Sequence, residues 1–185
     1  MTTIHGFSPS TYTQTALLVA AEAGVDVELA PLELGQASHY AMHPFGKMPV
    51  LRDGELTLFE TLAIATYLDA ERALQPSDPV EHARMHQWIS AAIDYGYAAL
   101  VSPLHGDTPS SDAIAEAGKQ LELLDGALAG REHFASSLSL ADLFLFPMVR
   151  FAVAAIGDGA LERLPNLRGW VGRMSERESA RSLSQ

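Results

Sequence analysis

The order of apolar and polar positions divides the chain into two parts with different periods. In the first part, short alternating runs trade places with helical ones. Thr3-Ile4-His5 alternates as a brief strand, and Val25-Asp26-Val27-Glu28-Leu29 as a second. Between them an Ala- and Leu-rich stretch predicts a helix. It opens on Ser8-Pro9-Ser10-Thr11, a turn with N-cap chemistry, runs to Glu22, and is stopped by Gly24. From Pro31 to Pro44 the pattern is weak and predicts a loop with at most a short helix. Met48-Pro49-Val50-Leu51 and Leu56-Thr57-Leu58-Phe59 then flank Asp53-Gly54, a strong hairpin signal because glycine takes positive φ freely. A helix follows from about Thr61 to Ala73.

Gln75-Pro76-Ser77-Asp78-Pro79 reads as a linker, and beyond it every pattern is helical. Val80 to about Leu104 predicts a long helix, interrupted by Pro103, Pro109 and Ser110-Ser111. Asp112 to Leu128 carries Leu121, Leu124 and Leu128 at helical spacing. Leu140 to Ile156 is so apolar that it predicts a helix buried on most sides, and Pro165 to Met174 a last amphipathic one. The expected organisation is an α/β domain over residues 1–75 and an all-helical domain over residues 80–185.

Composition narrows the function classes. Of the 185 residues 48% are hydrophobic and 19% charged, which suits a globular chain. No apolar run reaches the roughly 18 residues of a membrane span, and the N-terminal residues lack a signal-like core, so the cytoplasm is the expected compartment. A net charge of −11 without a basic stripe argues against nucleic acid as a partner. An anionic ligand must therefore be held by local donors, against the overall field. There is no cysteine, which excludes disulfides, thiolate–metal sites and a cysteine nucleophile. If a thiol takes part in the chemistry, the ligand brings it.

Two short features carry candidate chemistry. Pro49 stands at the start of a strand, where it lacks a donor; a cis peptide would free the Met48 backbone to pair with an extended ligand, while an ordinary edge proline explains it equally. Glu60-Thr61 precedes a helix, whose first N–H groups favour anions. Thr61 can offer a hydroxyl and Glu60 can take an ammonium, or the pair can be a plain cap with an acidic neighbour. His82 and His86 stand four apart on a helix, a legal spacing for metal ligands, but no third ligand follows, so a solvated face is the expectation and no metal is assigned.

Taken together, Pro44-Phe45-Gly46-Lys47-Met48-Pro49-Val50-Leu51, the Asp-Gly hairpin and Leu58-Phe59-Glu60-Thr61-Leu62-Ala63-Ile64 resemble the glutathione-binding half of the cytosolic glutathione transferases. His43 stands where asparagine is usual there, and Thr61 where serine is usual. Phe134 to Asp142, ending in Ser139-Leu140-Ala141-Asp142, is similar to a segment of the family's helical half, and Ser139 with Asp142 fits a capping box. Pro165-Asn166-Leu167 with Trp170 matches its C-terminal pattern. The resemblance implies a thioredoxin-like domain with a cis-Pro49, followed by an all-helical domain, in a homodimer. It implies that Met48 pairs with the cysteinyl backbone of glutathione, that Glu60 and Thr61 hold its γ-glutamyl end, and that Lys47 reaches its glycyl carboxylate.

The same resemblance bears on activation of the thiol. The thiolate is the nucleophile, and a hydroxyl at a helix N-terminus can favour it. Ser10-Thr11-Tyr12-Thr13 is similar to the opening of the first helix in the serine-type, phi-like branch, which implies that Ser10 activates sulfur. Ser8, Thr11 and Tyr12 are rival hydroxyls, Thr11 the foremost, and a capping role for Ser10 is compatible with either outcome. Phe7, Tyr12, Tyr95 and His105 are the candidates for a second-substrate pocket. The implied reaction is transfer of glutathione to a small hydrophobic electrophile, or peroxide reduction. A glutathione-dependent isomerase or dehalogenase and a non-catalytic binding module are the alternatives.

Overall fold

The computed structural model describes residues 1–106 and 108–183. By its contacts the chain divides into two units, Met1–Leu74 with Glu178–Gln185, and Gln75–Arg177.

The first unit is built on β1 (Thr2–His5), α1 (Thr11–Glu22), β2 (Val27–Ala30), α2 (Ala37–Met42), β3 (Val50–Asp53), β4 (Leu56–Phe59) and α3 (Thr61–Leu68). The strands lie in the order β2-β1-β3-β4. β1 runs parallel to β2 across the α1 crossover and antiparallel to β3, and β3 pairs antiparallel with β4. This is the thioredoxin-like arrangement. Helices α1 and α3 pack together, burying Leu18, Val19, Ile64 and Ala65, and Ile4, Val50 and Leu51 of the sheet are buried with them. Gly54 takes φ +57 in the hairpin, the left-handed region its sequence promises. Gly6 is required for a different reason. A Cβ there would lie 2.5 Å from Thr13 Oγ1, and a β-branched side chain inside a helix has little room to move aside.

Helix α3 ends at Leu68, five residues short of the sequence expectation. The buried Asp69 carboxylate accepts the Leu74 N–H at 3.2 Å, so the side chain closes a turn where the backbone would otherwise have continued the helix. Residues near the C-terminus form α9 (Glu178–Ser182), which packs on α1, and the Ser179 hydroxyl donates to Glu22.

The second unit is helical: α4 (Pro79–Ala91), a π-helical turn (Ala92–Gly96), α5 (Tyr97–Leu100), a 3-10 turn (Ser102–Leu104), α6 (Ser111–Ala127), α7 (Leu140–Ile156), a second 3-10 turn (Asp158–Leu161) and α8 (Pro165–Ser175). Asp78 caps α4, accepting from the Val80 and Glu81 N–H groups at 3.0 Å each. The long helix expected from Val80 to about Leu104 runs through α4, the π turn and α5 to Leu100, the π turn changing only its hydrogen-bond register. Gly96 lies against α7 there, where a Cβ would sit 3.4 Å from Met148 Sδ.

Helix α7 is the centre of this unit, with Leu140 to Val149 buried without interruption. Its N-terminus is organised by Asp142, which is 0% exposed. Ser139 and Asp142 close a capping box. Asp142 Oδ2 accepts from the Ser139 N–H at 3.0 Å and the Ser139 hydroxyl at 3.1 Å. Its Oδ1 accepts from Trp170 Nε1 at 2.9 Å and from the Phe134 N–H at 3.3 Å, and His133 Nδ1 lies at 3.3 Å. The carboxylate so ties the segment before α7, α7 itself and α8 together.

Candidate functional site

Strand register brings the sequence motifs of the first unit to one end of the sheet. His5 pairs with Val50, and Val50 with Phe59. One residue further on, Gly6, Pro49 and Glu60 therefore lie side by side across three adjacent strands. The chain leaving β1 reaches α1 at Thr11, and the chain leaving β4 enters α3 at Thr61, so both helices start at this end. Two helix N-termini here offer unpaired N–H groups, local positive poles in a chain of net charge −11.

Ser10 is the N-cap of α1 and is half-exposed. Its Oγ accepts the Thr13 N–H at 3.3 Å, while its own N–H donates to the Phe7 carbonyl at 3.0 Å. An accepting cap leaves the hydroxyl proton free to donate elsewhere. Thr11 differs: it is 3% exposed, and its Oγ1 is buried without a hydrogen-bond partner among the described residues. Ser8 is exposed, and its carbonyl accepts from Gln14 Nε2.

The Met48–Pro49 peptide is cis, as the resemblance implied. Pro49 is buried, Met48 half-buried and Lys47 exposed. The Lys47 backbone is anchored from below by His39, which is 1% exposed. His39 Nδ1 accepts the Gly35 N–H at 3.2 Å, so its Nε2 carries the proton and donates to the Lys47 carbonyl at 2.9 Å. Both ring nitrogens are thus spent on backbone, and His39 serves as a structural brace.

Across the hairpin, Thr61 is buried at the first position of α3, and Glu60 is exposed with no ion pair among the described residues. Glu60 has φ +67 and ψ 119, a conformation that side chains rarely adopt. The fold holds this strain at an exposed carboxylate at the start of α3. Glu60→Gly is expected to raise stability by about 1 kcal/mol, strain relief being partly offset by glycine's backbone entropy. The same change should remove most affinity for an α-amino acid ligand; urea unfolding and calorimetric titration check the two halves.

His43 is 2% exposed between these two segments. Its ring lies 4.9 Å from that of Phe59 and 6.3 Å from that of Phe45, and its Nδ1 is buried without a partner among the described residues. Burial holds its pKa below the usual imidazole value, opposed by the Glu60 carboxylate and aided by the neighbouring His39 and Lys47 side chains. Burial and the nearby Arg52 lower His5 in the same direction. A lowered folded-state pKa means that the unfolded chain binds more protons. The stability these two groups contribute is therefore complete above about pH 6.5, the unperturbed value, and is lost as pH falls below it toward the folded values. The urea midpoint is expected to drop between pH 7.5 and 5.5, and His43→Asn to flatten part of that slope.

The proposed pocket residues stand as follows. In the first unit Phe7 is 39% exposed, three residues before Ser10, and Tyr12 is half-buried on α1. In the second, Tyr95 is 67% exposed on the π turn, and His105 is exposed with its ring 4.9 Å from that of Phe151. Among the described residues no cluster of three or more His, Asp or Glu could hold a metal ion, and no helix is long and apolar enough to cross a membrane.

Known proteins share this organisation. The sequence model described as "Glutathione S-transferase, N-terminal domain" matches residues 2–70, and "Glutathione S-transferase, C-terminal domain" matches residues 93–173. Glutathione S-transferase 4 of Zea mays is 31% identical, over 98% of this chain and 91% of that protein. The chain belongs to the glutathione S-transferase family. In structure it is similar to glutathione transferase F7 of Populus trichocarpa, at TM-score 0.85 and 24% identity over 100% of this chain and 98% of the other. It is also similar to glutathione S-transferase-I bound with lactoylglutathione, at TM-score 0.81 and 25% identity over 99% and 98% of the two chains. The plant relatives agree with a phi-like, serine-type member of the glutathione S-transferases. Within the family frame, the strained Glu60 backbone and the His39 brace are features that motif reading had not supplied. A histidine eight residues before Lys47 was visible, but its two backbone bonds were not.

Proposed function

We propose that this glutathione S-transferase family member binds glutathione at the end of the sheet shared by Ser10, Pro49 and Glu60, and transfers its sulfur to a small hydrophobic electrophile. The observation that carries this reading is the strand register, which brings Gly6, Pro49 and Glu60 side by side and, at the same end of the sheet, the starts of α1 and α3. The γ-glutamyl carboxylate meets the α3 N-terminus and Thr61, and its ammonium meets Glu60. The Met48 backbone pairs with the cysteinyl residue, and Lys47 attracts the glycyl carboxylate. Ser10 donates its hydroxyl proton toward sulfur and, with the α1 N-terminus, favours the thiolate. The thiolate then attacks the electrophilic carbon, forming a C–S bond, and the displaced electron pair leaves with the leaving group. Exposed apolar surface at Phe7, just before Ser10, supports an apolar second substrate.

The structural neighbour bound with lactoylglutathione supports a glutathione conjugate as the ligand class. Two further parts belong to this reading. A homodimer is supported by the exposure of Phe45, 70%, and Tyr40, 53%, next to the Lys47–Pro49 segment. A cytoplasmic setting fits a reaction that consumes reduced glutathione.

Thermal denaturation with and without glutathione tests the core of the reading. The melting temperature is expected to rise with glutathione, and the rise to vanish in Glu60→Ala, which removes the ammonium partner. Absence of any rise in the unaltered protein, together with no retention on immobilised glutathione, would overturn it.

A further inference from the structure

Helix α4 carries a second constellation that the glutathione reading leaves unused. His82 and His86 lie four residues apart, on one face of a helix spanning Pro79–Ala91. Their rings are 4.7 Å apart between centroids, and their Nε2 atoms face each other at 3.1 Å. His82 is half-exposed and His86 exposed.

That separation has a chemical meaning. Imidazole nitrogens bind Zn(II) and similar ions at about 2.0–2.1 Å. Two such donors are therefore about 2.9 Å apart when the angle at the metal is a right angle, and about 3.4 Å apart when it is tetrahedral. The observed 3.1 Å falls between these limits. We infer that His82 and His86 form a bidentate site for a divalent transition-metal ion of the imidazole-preferring class: Cu(II), Ni(II) or Zn(II).

The remaining coordination positions belong to water, since no third side-chain ligand stands near among the described residues. The neighbouring charges are already engaged. Asp78 caps the helix, and Glu81 is paired with Arg84 and faces Arg131. Nitrogen donors without a carboxylate select against Mg(II), Ca(II) and Mn(II) and place Cu(II) first in affinity.

Before metal binds, one ring donates its Nε2 proton to the other ring's lone pair. On binding, that proton moves to Nδ1 of its own ring through solvent, so both Nε2 lone pairs reach the ion and a neutral pair releases no net proton. Of the other histidines, His39 has both nitrogens on backbone, and His133 faces Asp142. A bound ion would bridge two successive turns of α4 and add to the stability of the folded state.

Titration of the untagged full-length protein with CuCl2, NiCl2 and ZnCl2, without glutathione present, tests this. The expected result is one ion per chain, with affinity in the order Cu(II) above Ni(II) and Zn(II), and none measurable for Mg(II) or Mn(II). His82→Ala and His86→Ala should each weaken binding by about tenfold or more, through loss of the chelate. The rise in melting temperature with NiCl2 should disappear in both variants, while the rise with glutathione is kept. Binding that is absent, or that both variants leave unchanged, overturns the site: the two histidines are then a hydrogen-bonded surface pair only.

Discussion

An Asp142→Ala variant is expected to lose about 3–5 kcal/mol of stability, the cost of removing one partner from a buried, charge-assisted network. Asp142 is fully buried, and the Trp170 indole, the Phe134 and Ser139 N–H groups and the Ser139 hydroxyl all donate to its two oxygens, with His133 against Oδ1. Alanine would orphan every one of these donors in the interior and leave a void under α7. Domains are stable by only about 5–15 kcal/mol, so such a loss brings the second unit to the edge of unfolding at physiological temperature. Asp142→Asn is expected to cost less. One oxygen can still accept from Trp170 and Phe134, but the amide would then turn an NH2 toward the Ser139 N–H, donor against donor. Urea unfolding followed by tryptophan fluorescence separates the outcomes, because Trp170 is itself a member of the network. A loss below about 1 kcal/mol, the size of an ordinary surface cap, would mean that the carboxylate is not the keystone its hydrogen bonds indicate.

What could be read in advance depended on whether a signal was local. The Asp53-Gly54 hairpin, the Ser10 cap and the Ser139–Asp142 box are each written within a few residues, and each is found where the pattern puts it. The family motif, also local, led to the cis peptide and the thioredoxin-like sheet. Long-range events left no such trace. That Asp142 also receives Trp170, 28 residues away, or that Ser179 reaches Glu22, depends on packing that no periodicity records. The early end of α3 was missed because the Asp69 side chain competes for the Leu74 N–H, and the π turn at Ala92–Gly96 because apolar spacing there satisfies an ordinary helix equally well. At the candidate site, residue types were legible but backbone states were not. Nothing in Phe59-Glu60-Thr61 announces that Glu60 stands at positive φ.

The second large effect concerns Ser10, where two roles meet in one hydroxyl. As the cap of α1 its Oγ accepts from Thr13, and Ser10→Ala should cost about 1 kcal/mol on that account. As the proposed donor to sulfur it stabilises the thiolate, and each pKa unit so gained is worth about 1.4 kcal/mol. A free thiol of this kind titrates at about 8.5, so without the donor only a few per cent is thiolate at pH 7. Removing a single donor to a developing or resident anion costs about 100- to 1,000-fold in rate in the strongest cases. Because the α1 N-terminus remains, kcat/KM toward an aryl halide at pH 7 is expected to fall about 10- to 100-fold in Ser10→Ala. The pH profile distinguishes the two roles. Loss of the donor moves the rise of kcat/KM to higher pH and lets activity recover in alkali, whereas loss of a cap alone lowers stability and leaves the profile in place. Ser10→Thr keeps a hydroxyl for both tasks and should retain the original profile. If Ser10→Ala keeps it too, the donor lies elsewhere. Thr11, whose buried hydroxyl has no partner among the described residues, is then the group to test.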